Sequence, residues 1–443
     1  MRSVMRGMCR VVSAVAVAVV SSFGCAADRS TAKGKGTAQD AAKESSMVPV
    51  EVILVDADAT GYGTFQSHNQ KVVSGRSGIF MTHIRRRNEP YTAQQWRLSW
   101  STDGGKSFRT VYETTQATNP PVLEMDDEGN LYLVRVDFID GNGYLYRFRP
   151  GDGYSTPVVS VIPGGSAGKY AMMLDSPRRQ LYYFAHNNTF HVVGLDGTVR
   201  HSGTLLRDGS NAVLQYPLLS LDEKGVLHAA WTTQKHGVYL YWDIHYMASS
   251  DGGRTWQTMK GEPLTLPIVA DDTGPTDRIT LDDEFEVHTW LSSFLVRGEK
   301  AHFLYLAQTT PPRQHYMRYD LKTGEREIDT FDRLAGESIS LRGLDGLLAT
   351  SAGDANAPLY CVMSAEGRLG CLISYDDGTT WHDHALSDGR YNLYAVGGCR
   401  HITAEGHIIG TFTDSRGSGH DAGEPSRVCF YKVKAGAAAT RAL

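Results

Sequence analysis

"SSDGGRTW", residues 249–256, follows the order Ser-x-Asp-x-Gly-x-Thr-aromatic, and the same order returns as "STDGGKSF" at 101–108 and "SYDDGTTW" at 374–381. The order makes physical sense as a tight turn. The Asp carboxylate accepts from turn amides, Gly takes a left-handed backbone conformation, and the aromatic anchors the strand that follows. One such match is weak evidence. Three of them, each flanked by strand-like segments, specify hairpin turns in an all-β chain.

A second repeat sets the architecture. "NPPVLEMDDEGNLYLVRVD" (119–137) and "QYPLLSLDEKGVLHAAWTT" (215–233) align as strand, Gly-containing turn and strand. "GKYAMMLDSPRRQLYYFAH" (168–186), "HNQKVVSGRSGIFMTHI" (68–84) and "HTWLSSFLVRGEKAHFLYL" (288–306) fit the same template, and stretches near Glu337 and Val396 fit it more loosely. The spacing, about fifty residues, suits one four-stranded blade per repeat. The sequence therefore predicts a single seven-bladed β-propeller of four-stranded antiparallel blades, or six blades if the last two starts fail. The three octapeptides resemble the Asp-box, or BNR, repeat of sialidase-like β-propellers, where the motif is structural, so no catalytic role is assigned to them.

In a propeller each repeat start lies beside the central channel. His68, Asn119, Gly168, Gln215 and His288 thus occupy equivalent places around one mouth, with Asn69 and Tyr216 next to two of them. The loops between second and third strands reach the same mouth, as functional loops on a rigid scaffold commonly do. They bring Arg85, Arg97, His186, Trp242, His245, Arg313 and His315. Arg97 and His245 each stand four residues before an Asp-box serine, so they are positional equivalents that a third strand does not need for packing. Guanidinium forks bind carboxylates and aromatic rings stack on sugar faces, so such a mouth suits an acidic carbohydrate.

Each candidate has a plainer reading. A His that begins a strand is ordinarily a solvated cap, a Tyr beside the channel is a plug, and one Arg of Arg85-Arg86-Arg87 is solvated. His228 corresponds to Tyr132 on the far face and reads as structural. Asp271, Asp272, Asp277, Asp282, Asp283, Glu284 and Glu286 crowd one insertion. They would suit a structural Ca2+, but their spacing is not that of an EF-hand and a solvated loop explains them as well. The metal content is therefore unknown from sequence. No zinc signature, phosphate-binding loop or Gly-x-Ser-x-Gly elbow is present.

The ends of the chain speak to compartment. Arg2, Arg6 and Arg10 precede the ten-residue apolar run "VVSAVAVAVV" and then "SSFGCAAD", which reads as an export signal over residues 1–25 and is too short to span a bilayer. Cys25 lies where a lipoprotein would be acylated, although Ser22-Phe23-Gly24 equally fits an ordinary cleavage site. Residues 26–48 read as a flexible linker, 49–436 as the propeller and 437–443 as a tail. The expected location is periplasmic, cell-surface or secreted, with the membrane reached only through an anchor at Cys25. The net charge of −5, from 44 basic and 49 acidic residues, gives no support for nucleic-acid binding. Propellers close their own sheet edges, so a monomer is expected. Cys361 and Cys371 could face each other across a hairpin, or remain reduced in the core.

"SHNQKVV", "NPPVLEMDDEGNLYL", "QYPLLSLDEKGVLHAAWTT" and "WDIHYMASSDGGRTW" together resemble the BNR-repeat polysaccharide lyases that act on rhamnose–glucuronate linkages, the ulvan and rhamnosyl-glucuronate lyases. The resemblance implies β-elimination from a uronate, with no cofactor required. It matches His68, in the pair His68-Asn69, to the family's suspected base. The chemistry then assigns Tyr216 or His288 as acid, and Arg97 with Arg85 or Arg313 as carboxylate clamps. Asn69, Asn119, Gln215, Trp242 and His245 complete the expected substrate-binding set. Two other readings share the Asp boxes. A sialidase-like exo-hydrolase lacks an evident Tyr–Glu nucleophile pair here, and a non-catalytic glycan-binding propeller needs the same aromatics without a base.

Overall fold

The structure, a computed structural model, describes residues 47–66, 69–87, 94–117, 119–136, 140–330, 333–416 and 425–436. The export signal with Cys25, most of the linker, His68 and the tail lie outside the described residues.

Antiparallel four-stranded meanders follow one another along the chain. The first is Val72–Gly75, Gly78–Arg85, Gln94–Ser101 and Arg109–Ala117. Later ones begin with Leu123–Met125, Tyr170–Asp175, Ala212–Leu221, Thr289–Arg297 and Gly346–Ala349. The last joins Leu393–Gly398, His407–Asp414 and Ser426–Lys434 to Val50–Ala59, which comes from the other end of the chain. First strands pack on one another in chain order, and Val72–Gly75 returns to His407–Asp414 of the last meander. This is an all-β, propeller-like arrangement.

Side-chain alternation explains why the meanders stack face to face. In Gln180–Ala185, Tyr182 and Phe184 pack with Leu214, Leu227 and Trp231 of the following meander. Leu181, Tyr183 and Ala185 pack with Val134 and Leu145 of the preceding one. With a period of two, one apolar run supplies both cores, so it reads as continuously hydrophobic rather than alternating.

The Asp boxes lie between third and fourth strands, as the repeat predicted. In the first, Asp103 Oδ1 accepts from the amides of Lys106 and Ser107, both at 3.0 Å, and the Gly105 amide donates to Ser101 Oγ at 2.9 Å. The glycine at the fifth position of each box presses on an aromatic of the preceding meander. A Cβ on Gly105 would fall 2.5 Å from Phe430, one on Gly253 2.3 Å from Phe190, and one on Gly378 1.8 Å from Tyr316. The boxes therefore fasten neighbouring meanders together. Gly253 also has φ +88°. Gly253→Ala is expected to cost about 1–3 kcal/mol from overpacking, with a further ~1–2 kcal/mol for a left-handed non-glycine residue. A urea titration checks this, and an unchanged midpoint would refute the fastening role.

Two expectations need correction. The repeat start placed near Glu337 is not a first strand. Ser340–Leu341 pairs instead with Leu334–Ala335, because Asp383 accepts from the Ser338 and Ile339 amides and holds that segment at the rim. The true first strand is Gly346–Ala349, followed by Leu359–Ala365. Cys361 and Cys371 do not face each other. Cys361 pairs with Leu372 and Val362 with Cys371, so the one-residue offset sends the thiols into different cores, where both are free and buried.

Candidate functional site

Lys169 stands immediately before the strand Tyr170–Asp175, at the mouth end of the channel. Its Nζ donates to Gln215 Oε1 and, at 3.4 Å, to the Tyr241 hydroxyl. It lies 4.4 Å from the centroid of the Tyr216 ring and 5.3 Å from that of Tyr241, at cation–π distance. Among the described residues no carboxylate pairs with it. Burial alone pulls its amine down to about 7.

Aromatic residues surround this cation. Tyr216 meets Tyr241 edge-on at 5.4 Å, and Trp290 packs against Tyr241 at 4.8 Å. His288 stacks on Tyr241 at 5.4 Å, while Tyr239, 46% exposed at the rim, leans on Tyr241 at 5.1 Å. Phe65 links Tyr216 to Tyr394 on the other side. A register shift between Leu214 and Pro217 leaves Gln215 and Tyr216 outside the ladder. Such a bulge re-aims side chains, which places this pair in the mouth.

Protonation states follow from the contacts. The Tyr241 amide donates to His288 Nδ1 at 2.9 Å, so the neutral ring carries its proton on Nε2 and offers it as a donor. Burial holds His288 below the ordinary imidazole range, more strongly than this bond opposes it. His186 is taken down to about 4 by burial first and the Lys169 charge second. Burial also raises the phenols of Tyr216 and Tyr241, and neighbouring tyrosines add to the effect. The site thus combines a cation lacking a counter-ion, neutral imidazoles and firmly protonated phenols. It is equipped to hold an anion and to donate protons.

Of the residues singled out from sequence, Gln215, Tyr216 and His288 meet here. Asn69 and Asn119 brace the site from below. Asn69 Nδ2 donates to the Tyr170 carbonyl at 2.5 Å, Asn119 Nδ2 to the Gly168 carbonyl at 2.7 Å, and Gln66 Nε2 to the same carbonyl at 2.6 Å. The backbone on both sides of Lys169 is therefore fixed.

The arginines and two aromatics lie elsewhere. Arg97 pairs with Glu113 at 2.9 Å and Asp56 at 3.1 Å, and Arg85 with Asp58 at 3.2 Å, on the seam between the first and last meanders. Arg313 pairs with Asp283 at 2.8 Å and with Glu284. Trp242 is buried against Phe285 at 4.4 Å, pointing away from the mouth. His245 is fully buried, stacked on Trp231 and bonded to Thr276. The expectation that Arg97 and His245 have no structural part is overturned: Arg97 is tied up in ion pairs with Asp56 and Glu113, and His245 is buried against Trp231 of its own meander. His228 binds the Tyr246 hydroxyl at 2.7 Å and is structural, as expected.

The acidic insertion does not converge on a point. Asp271 accepts the Asn211 and Ala212 amides, both at 2.8 Å, and Asp277 that of Met259. Glu284 binds His315 at 2.6 Å and Tyr305 at 2.9 Å. Among the described residues no group of three or more His, Cys, Asp or Glu is arranged to hold a metal ion.

Sequence reasoning missed Lys169 and Tyr241. Lys169 was legible as the neighbour of Gly168 in the repeat slot that yields Asn119, Gln215 and His288. Tyr241 differs from the chosen Trp242 by one residue, which on a strand means the opposite face.

Comparison with known proteins is consistent with this fold. A family described as BNR repeat-containing family member matches residues 81–285. Comparison with curated protein sequences found no match. Among solved structures, a PL25 ulvan lyase bound to -[GlcA(1-4)Rha3S]- is similar with TM-score 0.61 at 11% identity, covering 85% of this chain and 94% of that one. The same kind of enzyme in another structure gives TM-score 0.60 at 11% identity, with the same coverage. The polysaccharide lyase Uly1 gives 0.57 at 12% identity, covering 88% and 99%. The chain thus carries a BNR-repeat match over residues 81–285 and shares an all-β, propeller-like fold with these polysaccharide lyases.

Proposed function

We propose that this protein is an exported polysaccharide lyase that cleaves a uronate-containing glycan, of the rhamnose–glucuronate type, by β-elimination. The domain is read as residues 49–436, a ring of seven four-stranded blades acting as a monomer. An export signal and linker precede it, with Cys25 as the point of any lipid anchor. The observation that carries the reading is Lys169, a cation set among tyrosines at the channel mouth with no counter-ion among the described residues. A uronate carboxylate supplies the missing charge, and the rings supply stacking surface for the sugar. The acidic saccharide bound to one of the similar lyases supports this choice of substrate class.

In the proposed reaction Lys169 holds the carboxylate and stabilises the enolate-like anion formed when the C5 proton leaves. A base takes that proton, the C5 electron pair forms the C4–C5 double bond, and the C4–O bond breaks. The departing oxygen takes a proton from Tyr241 or Tyr216, whose phenols are held protonated by burial. His288, with its proton on Nε2, is a hydrogen-bond donor rather than the base. His68 keeps the role of base, and Gln215 orients Lys169. No cofactor takes part.

Ultraviolet absorbance tests the reading. Purified protein mixed with rhamnose–glucuronate polymers should generate the chromophore of an unsaturated uronate. Sugar released without that absorbance would point to hydrolysis, and saturable binding with no product to a glycan-binding propeller. Either result would overturn the lyase assignment.

A further inference from the structure

A cavity of ≈ 890 Å³ opens at the opposite end of the channel, among the turns that connect first and second strands. Its floor is polar. Gln70 Nε2 donates to Glu124 Oε2 at 3.2 Å, the Arg400 amide donates to Gln70 Oε1 at 3.2 Å, and Arg400 Nη2 pairs with Glu124 Oε1. Gln70 and Glu124 are each only 5% exposed. Arg400 Nε and Nη1 have no protein acceptor among the described residues, so the guanidinium keeps donors for a visitor. The walls include Val73, Met125, Met173, Leu221 and Ile402.

The rim differs in charge from the mouth. Its basic residues are already paired, Arg178 with Asp175 at 2.9 Å and Lys224 with Glu299. Asp127 and Glu223 are exposed and form no ion pair among the described residues, though Lys224 feels the charge of Glu223. An anionic sugar that enters here meets uncompensated carboxylates, whereas at the mouth it meets Lys169.

We propose that this cavity is a second carbohydrate site, for a neutral mono- or disaccharide unit. Apolar walls around a few fixed polar groups are what small-molecule sites present, at volumes of roughly 300–1,000 Å³. Sugar hydroxyls both donate and accept, which matches free guanidinium donors beside the Glu124 carboxylate and the Gln70 amide. Methionine and leucine walls accept the C–H face of a sugar ring. The acidic rim excludes uronates, so the two ends of the channel select opposite classes of saccharide. The inference is independent of the reaction proposed at the mouth.

Saturation-transfer NMR and calorimetry on the full chain test it, with L-rhamnose, lactose and cellobiose as probes and glucuronate as the charged control. Ala404→Trp and Ala352→Trp each place a ring into the cavity from an exposed turn, on separate segments of its lining. Two variants guard against failure of either one to fold, which circular dichroism reports. At least one neutral sugar should bind wild-type and Lys169→Met protein alike, and weaken roughly tenfold or more in the folded tryptophan variants. Absence of binding by all three neutral sugars would overturn the proposal. So would binding that survives both tryptophans, binding lost with Lys169→Met, or glucuronate binding as well as the neutral sugars.

Discussion

Lys169→Met is expected to abolish turnover on a uronate glycan and at the same time to make the folded protein more stable. The loss of activity follows from the one cation among the mouth tyrosines that has no carboxylate partner among the described residues. Removing one preorganised group that stabilises a developing anion costs about 10²–10³ in kcat, and the substrate carboxylate would lose its anchor as well. The gain in stability follows from burial. The Lys169 amine falls to about 7 in the folded protein, against about 10.4 when unfolded. Below pH 7 both states are protonated, and the folded state bears the full cost of a poorly solvated charge. Between pH 7 and pH 10 the unfolded chain binds more protons, so wild-type stability rises with pH there. Methionine removes that slope. Urea denaturation at pH 6 and pH 9.5 should show the variant's advantage shrinking at the higher pH. Lys71, also drawn down to about 7 by burial, is common to both proteins and drops out of the difference. If the wild-type protein turns over a uronate glycan as proposed, its KM should rise above about pH 7 as Lys169 loses its proton. A flat KM through that range, or full activity in the methionine variant, would remove Lys169 from the mechanism.

Asp56→Ala should be the most damaging single change at the closure of the ring. Asp56 lies on the N-terminal strand Val50–Ala59, which completes the last meander and touches the first through Ala59 and Arg85. Its carboxylate is 3.1 Å from His83 Nε2, 3.1 Å from Arg97 Nη1 and 3.7 Å from Arg85 Nη1. Burial pushes Asp56 up, but the His83 hydrogen bond and charge, the Asp58 amide and Arg85 outweigh it and hold it well below the carboxylate range. Removing the acid leaves cations facing each other across a seam with little water, where breaking a buried pair costs about 3–5 kcal/mol. The partial exposure of Arg85 and Arg97 places the expected cost near the lower figure, about 3 kcal/mol. Because the folded pKa is depressed, this stabilisation is complete above the unfolded value of about 4 and disappears as pH falls below it. A double-mutant cycle with Arg97→Met measures the coupling. If Asp56→Ala shifts the urea midpoint no more than the same change at exposed Asp152, the seam does not depend on this acid.

The same seam shows why two residues expected at the site are engaged elsewhere. Arg85 and Arg97 have the side chains a carboxylate clamp needs, and they stand near the end of the channel where one was expected. Two of their partners, Asp56 and Asp58, come from the N-terminal strand, which local sequence does not reveal as a neighbour, while Glu113 lies on the next strand of the same meander. A strand joined to the first meander from the far end of the ring leaves no periodic trace at residues 85 or 97. Trp242 lies away from the mouth for a smaller reason. Alternation decides which of Tyr241 and Trp242 looks into the mouth, and the register shift between Thr232 and Thr233 sets the phase.

What the sequence determined by itself was local and repeated: the Asp boxes, the Gly-turn hairpins, their period, and from these an all-β propeller-like chain with Gln215, Tyr216 and His288 near one mouth. Turn chemistry and a period of two are written in adjacent residues, so repetition makes them legible. Only the tertiary structure decided which charges are already neutralised. Lys169 became the leading candidate, and the arginines did not, because an ion pair depends on the distance between segments rather than on the residues beside it.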